Sequence, residues 1–179
     1  RRRSRRRRCR SRPPDPSARV GSVPGMALTN PGTFNIAKGR AAELQHRVDA
    51  NDPSTSVLVI VLLESTGMVT DATMRDYATL AAVLAGASDE ATNTGYARKI
   101  LTDTDIGDFT VDNTNDWVLA DVPDQTWNNV ANDGTGGIGG LLVCYDPVAG
   151  SGTDSEIIPL TFQPFVVTPN GGNITATID

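Results

Sequence analysis

Asp103, Asp105, Asp108, Asp112 and Asp116 form the densest run of side chains in the sequence that could bind a ligand. Carboxylate oxygens at close spacing suit a hard cation, above all Ca²⁺. Asp103, Asp105 and Asp108 make a weak calcium candidate, because the spacing misses the EF-hand loop and no bidentate Glu closes it. Alternating Asp on the solvent face of a strand accounts for the pattern equally well.

The residue types that catalysis needs are sparse. His46 is the only histidine, placed on the polar side of a predicted helix, and G-x-S-x-G is absent, so a Ser-His-Asp system has no signal. Residues 134–139, GTGGIG, match G-x-G-x-x-G, but an apolar run, LLVCY, follows where a phosphate cradle requires a helix N-terminus. They read as a glycine loop between strands, and G-K-[ST] does not occur. A carboxylate pair for glycoside hydrolysis is compatible with so many acids, but sugar platforms would have to come from Trp117 and Trp127, which lie in strand-like runs and read as core. Cys9 and Cys144 form no disulfide framework and no metal spacing, and Cys144 reads as a buried, inert thiol. No catalytic residue, cofactor or firm metal site is expected.

Tyr96 and Arg98 are two apart, so on a strand they share a face. In a domain poor in basic residues Arg98 is a candidate for a structural ion pair or an interface contact, against a solvated edge Arg as the alternative. Tyr96, Arg98, Trp117 and Trp127 are the interface candidates.

These residues need elements to hold them. Apolar residues at 36, 37, 41, 44 and 48 predict a helix over 36–48, capped by Asn35 and stopped before Asn51-Asp52-Pro53. Residues 56–63 form a continuous apolar, β-branched run, a strand buried on both faces. Met74, Tyr77, Leu80, Ala81 and Leu84 predict a helix over 73–84, with Asp71 or Thr73 as cap and Gly86 as stop. From residue 91 the pattern is β, with strands expected at 97–104, 116–122, 126–130, 140–145, 156–162, 164–168 and 173–178. Turn clusters fall at 112–115, 132–134, 146–147 and 170–173, the last reading as a short hairpin. The expected fold is β-rich α+β: an antiparallel sandwich or jelly-roll-like domain with one or two helices in its N-terminal half.

The 179 residues carry a net charge of −5 that conceals two unlike parts. Residues 1–25 hold ten Arg against one acid, Asp15, a net +9. The remaining six basic and twenty acidic residues give −14. A body this acidic repels nucleic acid and favours a basic neighbour. Residues 1–25 have no periodicity and are expected to be disordered. They are either an arm that binds nucleic acid through its phosphates, or upstream sequence read in frame before a start at Met26. The second reading is favoured by the Arg/Ser/Pro/Gly mixture and by MALTN as an opening. Residues 26–179 then form one domain. No run approaches the roughly 18 apolar residues of a membrane span, and no apolar h-region follows the basic start, which implies a leaderless protein made in the cytosol.

Residues 56–102, SVLVIVLLESTGMVTDATMRDYATLAAVLAGASDEATNTGYARKILT, carry an ordered set of features. A VLVIVLLE strand leads to an acidic turn, a D-A-T-M-x-D-Y-x-T-L-A-A-V-L-A-G helix, and then E-A-x-x-x-x-Y-A-R-K. With Asp112-Asn-Thr-Asn115, Asp124-Gln-Thr-Trp127, residues 141–147 and residues 153–160, this resembles a family of small virion structural proteins of tailed bacteriophages and prophages. The likeness spans nearly all of 26–179 and leaves out the Arg tail. It implies a non-enzymatic virion component, a capsid decoration or cement protein, built in the bacterial cytoplasm. Its partners would be the major capsid protein or other virion proteins, and it would be a homo-oligomer or present in many symmetry-related copies. The alternative is a tail-associated or receptor- or carbohydrate-binding β-sandwich. A virion glycosidase ranks third.

Overall fold

The computed structural model describes residues 27–115, 117–119, 121–133, 136–149 and 153–178. Residues 1–26 with Cys9, as well as Asp116, Gly134 and the side chain of Trp117, lie outside the described residues.

Two apolar runs organise the molecule. Val57–Glu64 forms β2 and Ile138–Asp146 forms β7, and every residue of both is buried. They pair antiparallel, Leu58 opposite Tyr145 and Leu62 opposite Leu141. Strands covered on both faces show continuous rather than alternating hydrophobicity, which is what VLVIVLL and GGLLVCY display. Gly139 is needed here, since a Cβ on it would lie 2.7 Å from the Ser65 Cα. β1 (Gly32–Thr33), β8 (Ile158–Val167) and β3 (Lys99–Leu101) complete a five-stranded antiparallel sheet in the order β1-β8-β7-β2-β3. β4 (Thr110–Asp112) and β5 (Trp117–Leu119) form a hairpin, and β6 (Gln125–Trp127) pairs with β9 (Ile174–Ala176).

The β-rich antiparallel reading holds. The described strands make one five-stranded sheet and two two-stranded ribbons, not two facing sheets of similar size. The two expected strands at 156–162 and 164–168 are a single strand, β8, continuous through Pro164. Phe34 N–H donates to Leu160 O, so alternation turns the backbone groups of Phe162 and Pro164 to the same outer edge. A proline is tolerated there because its missing N–H faces no ladder partner. A register shift against β7 follows, between the pairs Pro164–Gly140 and Val167–Ile138. The expected hairpin at 170–173 does not join neighbouring strands, because β9 pairs with β6. Instead Gly171 N–H donates to Val130 O and Val130 N–H to Gly172 O, docking the turn on a distant segment.

Both predicted helices are shorter and broken. The first becomes a 3₁₀ turn at Asn35–Ala37 followed by α1, Ala41–Asp49. Gly39 between them has φ +77, outside helical space. Asn35 caps nothing: its Nδ2 donates to Asp76 at 2.7 Å. The second becomes α2 (Asp71–Met74) and α3 (Leu80–Gly86), capped by the hydroxyls of Thr70 and Thr79. Asp71 does not act as the cap and accepts four hydrogen bonds from Thr29 and Asn30. Leu44, Val48, Met74, Leu80 and Val83 point into one core with β2, β7 and β8. No helix among the described residues is long and apolar enough to cross a membrane.

Candidate functional site

The chemistry-bearing residues of E-A-x-x-x-x-Y-A-R-K meet at the β3 side of the sheet. The ladder from β2 to β3 ends at Ile60–Lys99. Two strand residues further, Leu62 exposes a backbone N–H and C=O that need partners. Ala91 N–H donates to Leu62 O, and Leu62 N–H donates to the Tyr96 hydroxyl at 3.1 Å. Gly95 permits this fold-back: it has φ +91, and a Cβ on it would lie 2.6 Å from Asn129 O.

The Tyr96 hydroxyl in turn donates to Glu90 Oε1 at 2.8 Å. Glu90 is held in place by a β-bridge to Leu63. Arg98 lies between two carboxylates: Nε and Nη2 donate to Glu90 at 2.9 and 2.6 Å, and Nη1 and Nη2 donate to Asp154 at 2.6 and 3.0 Å. This is the fork geometry that guanidinium matches and ammonium does not. Asp154 is fixed because its carbonyl accepts from Ala81 N–H at the start of α3. The cluster therefore ties β2, the segment after α3, the approach to β3 and the β7–β8 loop into one unit.

Its electrostatics follow the geometry. The Arg98 guanidinium hydrogen-bonded to Asp154 holds that carboxyl below the usual carboxylate range. Arg98 itself is pushed up by its hydrogen bonds to Asp154 and then Glu90. Burial, followed by the negative charge of Glu90, pushes the Tyr96 phenol up. Tyr96 and Arg98 thus direct their donors onto Glu90 and Asp154, and the four side chains satisfy one another.

Trp127 completes the packing. Its ring lies 6.3 Å from that of Tyr96, its Nε1–H donates to Ala97 O at 2.8 Å, and Lys99 Nζ lies 5.6 Å from its ring centroid. At 2 % exposure it is part of the core of the chain. Of the four interface candidates, the structure thus joins Tyr96, Arg98 and Trp127 in one internal cluster. Arg98 is the structural ion pair that its sequence setting allowed. Glu90 and Asp154 had not been singled out. Glu90 and Asp154 both lie in segments that carry the resemblance, but Asp154 is 56 residues from Arg98 and no local spacing pairs the two.

The acidic run has other uses. Asp105 accepts from the backbone and hydroxyl of Thr102, closing a capping box, and Asp103 accepts from Asn51 Nδ2 at 2.6 Å. Asp112 accepts from the backbone of Thr114 and Asn115 in the β4–β5 turn. Asp108 is exposed. Among the described residues no three of His, Cys, Asp and Glu converge on a point that could hold a metal ion. His46 packs its ring against Phe109 at 4.9 Å. Residues 136–139 of the glycine motif lead into β7 and not into a helix. Cys144 is free and buried, and burial pushes its thiol up, away from the reactive thiolate.

No family model, curated protein or solved structure matches the chain.

Proposed function

We propose that this chain is a non-enzymatic structural protein of a tailed-phage virion, bound to the capsid lattice as a decoration or cement subunit. One observation carries the reading. The side chains most capable of chemistry, Glu90, Tyr96, Arg98 and Asp154, are turned on one another and on the β2 backbone, where they hold the fold together. Three supports stand beside it: the resemblance over residues 56–102, the −14 charge of residues 26–179, and a fold made of a two-face-covered sheet. An acidic body gives electrostatic selection for a basic neighbour and against free nucleic acid. The sandwich form belongs to the same reading, with the β6–β9 ribbon as its second layer, stacked through Trp127 on Tyr96 and Lys99.

A carbohydrate platform built from Tyr96, Trp117 and Trp127 draws no support from Trp127, whose ring and N–H both face inward. Tail attachment remains the second position for the same non-enzymatic role. Cryo-electron microscopy of virions, with intact-mass measurement of this protein from the same particles, separates the cases. Density of this fold on the capsid lattice is the expected result. Density on the tail alone moves the role to the tail, and absence from the particle overturns the proposal.

A further inference from the structure

The turn at 170–173 carries the only Asn-Gly pair in the sequence, Asn170-Gly171. In such a pair the backbone nitrogen of the second residue can attack the side-chain amide of the first, because glycine puts no side chain in the way. Three features of the fold favour that reaction. Asn170 and Gly171 are exposed, and a Cβ on Gly171 would meet nothing within 4 Å. Gly172 N–H donates to Asn170 Oδ1 at 2.9 Å, which places a donor where negative charge gathers as the amide is attacked. Asn170 Nδ2, the group that would leave, has no hydrogen-bond partner among the described residues.

One feature opposes it. The nucleophile is already in use, since Gly171 N–H donates to Val130 O at 2.8 Å. Val130 is fully buried, and its own N–H donates back to Gly172 O at 2.9 Å, so the contact is a two-way clasp. Asn129 N–H donates to Asn173 Oδ1 at 3.1 Å and closes the same junction from the other side. An amide nitrogen becomes nucleophilic only on losing its proton, and here that proton is held between the nitrogen and a carbonyl. Asn128, Asn132 and Asn173 are followed by Asn129, Asp133 and Ile174, whose side chains crowd the approach that Gly171 leaves open.

We propose that Asn170-Gly171 is a self-modification site whose gate is the Gly171–Val130 hydrogen bond. When the turn lifts from Val130, the Gly171 nitrogen bonds to Asn170 Cγ and the Cγ–Nδ2 bond breaks. The Nδ2 group leaves as ammonia, carrying the equivalent of the proton that the Gly171 nitrogen gives up. Water then adds to either carbonyl of the cyclic imide, which opens to aspartate or to isoaspartate. Water is the only co-reactant. Both products add a carboxylate to a body that already carries −14. Isoaspartate also lengthens the main chain by one carbon at residue 170, so Gly171 N–H and Gly172 O no longer both meet Val130. The change is one-way, and it loosens the turn that leads into β9 and the pairing of β9 with β6.

The test incubates the full chain at mildly alkaline pH and follows each asparagine by peptide mass mapping, with aspartate and isoaspartate separated by chromatography. In the folded protein Asn170 should convert faster than any other asparagine, and at least about tenfold more slowly than in the same chain unfolded in urea. Asn173→Ala removes the acceptor of Asn129 N–H and should speed conversion at Asn170 several-fold, with tryptophan fluorescence reporting that the variant is folded. In sub-denaturing urea the conversion rate should rise in step with hydrogen exchange at the Gly171 amide, because both need the same opening. Equal rates in the folded and unfolded chains remove the gate, and conversion at Asn170 no faster than at Asn128 or Asn132 removes the site; either result overturns the proposal. Should Asn173→Ala not fold, the urea series decides alone, and conversion that stays constant while Gly171 exchange accelerates overturns it.

Discussion

Replacing Arg98 by Met removes the guanidinium and keeps most of the stem. Glu90 and Asp154, both hydrogen-bonded to Arg98, then face one another without a cation, and Tyr96 alone still donates to Glu90. Breaking a fully buried pair by removing one partner costs about 3–5 kcal/mol, and an exposed pair contributes about 0–1 kcal/mol. Arg98 keeps 28 % of its side-chain surface in water and Asp154 35 %, so screening takes the cost below the buried limit. The bidentate geometry keeps it above the exposed one, and about 2–3 kcal/mol is expected at pH 7. For a domain of this size that lowers Tm by about 4–12 °C. The pH dependence supplies the sharper check. The folded pKa of Asp154 lies below its ordinary 3.8, so its contribution to stability is present above that value and lost as pH falls through the folded pKa. The gap between wild type and R98M should therefore be large at pH 7 and should narrow below about pH 4. Urea unfolding followed by tryptophan fluorescence measures both. The triple variant E90Q/R98M/D154N, which removes the stranded charges, should recover much of the loss. A gap under about 1 kcal/mol at pH 7, or one that does not change with pH, would refute the view of this cluster as an electrostatic clamp.

Tyr96→Phe leaves Leu62 N–H without its acceptor and should cost about 1–3 kcal/mol, with faster hydrogen exchange at the Leu62 amide as the local signature. Gly95→Ala should destabilise by more than about 1 kcal/mol, because it combines a strained φ with a clash against Asn129 O; a thermal shift below 2 °C would contradict this. Glu64 is buried, and burial pushes its carboxyl above the ordinary 4.5. Its contribution is thus favourable below that value and lost as pH rises through the folded pKa, so the stability of E64Q relative to wild type should increase from pH 4 to pH 7 in paired urea titrations. Cys144 should escape iodoacetamide in the native protein and be alkylated only after denaturation, as read by peptide mass mapping.

What could be read from the sequence was what depends on local pattern. Val57–Glu64 and Ile138–Asp146 announced themselves because strands covered on both faces need unbroken apolar runs. The 112–115 turn followed from Asp and Asn chemistry, and the structure shows Asp112 accepting from Thr114 and Asn115. Helical spacing over 36–48 and 73–84 located the helical regions but not their breaks. Periodicity is blind to Asn35 reaching Asp76, and a threonine inside a pattern, Thr79, can end one helix phase and cap the next. The 170–173 turn was legible as a turn but its use was not, since pairing of β9 with β6 depends on a segment some 45 residues earlier. The site divides in the same way. Arg98 stood out by the scarcity of basic residues, while Asp154 became its partner only through the tertiary placement of the β7–β8 loop. The acidic run was ambiguous in sequence because caps and turns use carboxylates at spacings that a calcium site also uses, and the structure shows Asp105 and Asp112 serving a cap and a turn.

Pro164 on the open edge of β8 has a consequence for what that edge can pair with. β1 covers that edge only at Thr161 and Phe162, and beyond it Val166 is 75 % exposed. An uncovered apolar strand is ordinarily a template on which a neighbour's backbone can zip. Here the first rung past β1 has no donor, and the register shift that follows bends the next ones out of line. This stretch of the β8 edge is thereby a poor template for an added strand, although Val166 leaves it apolar and exposed.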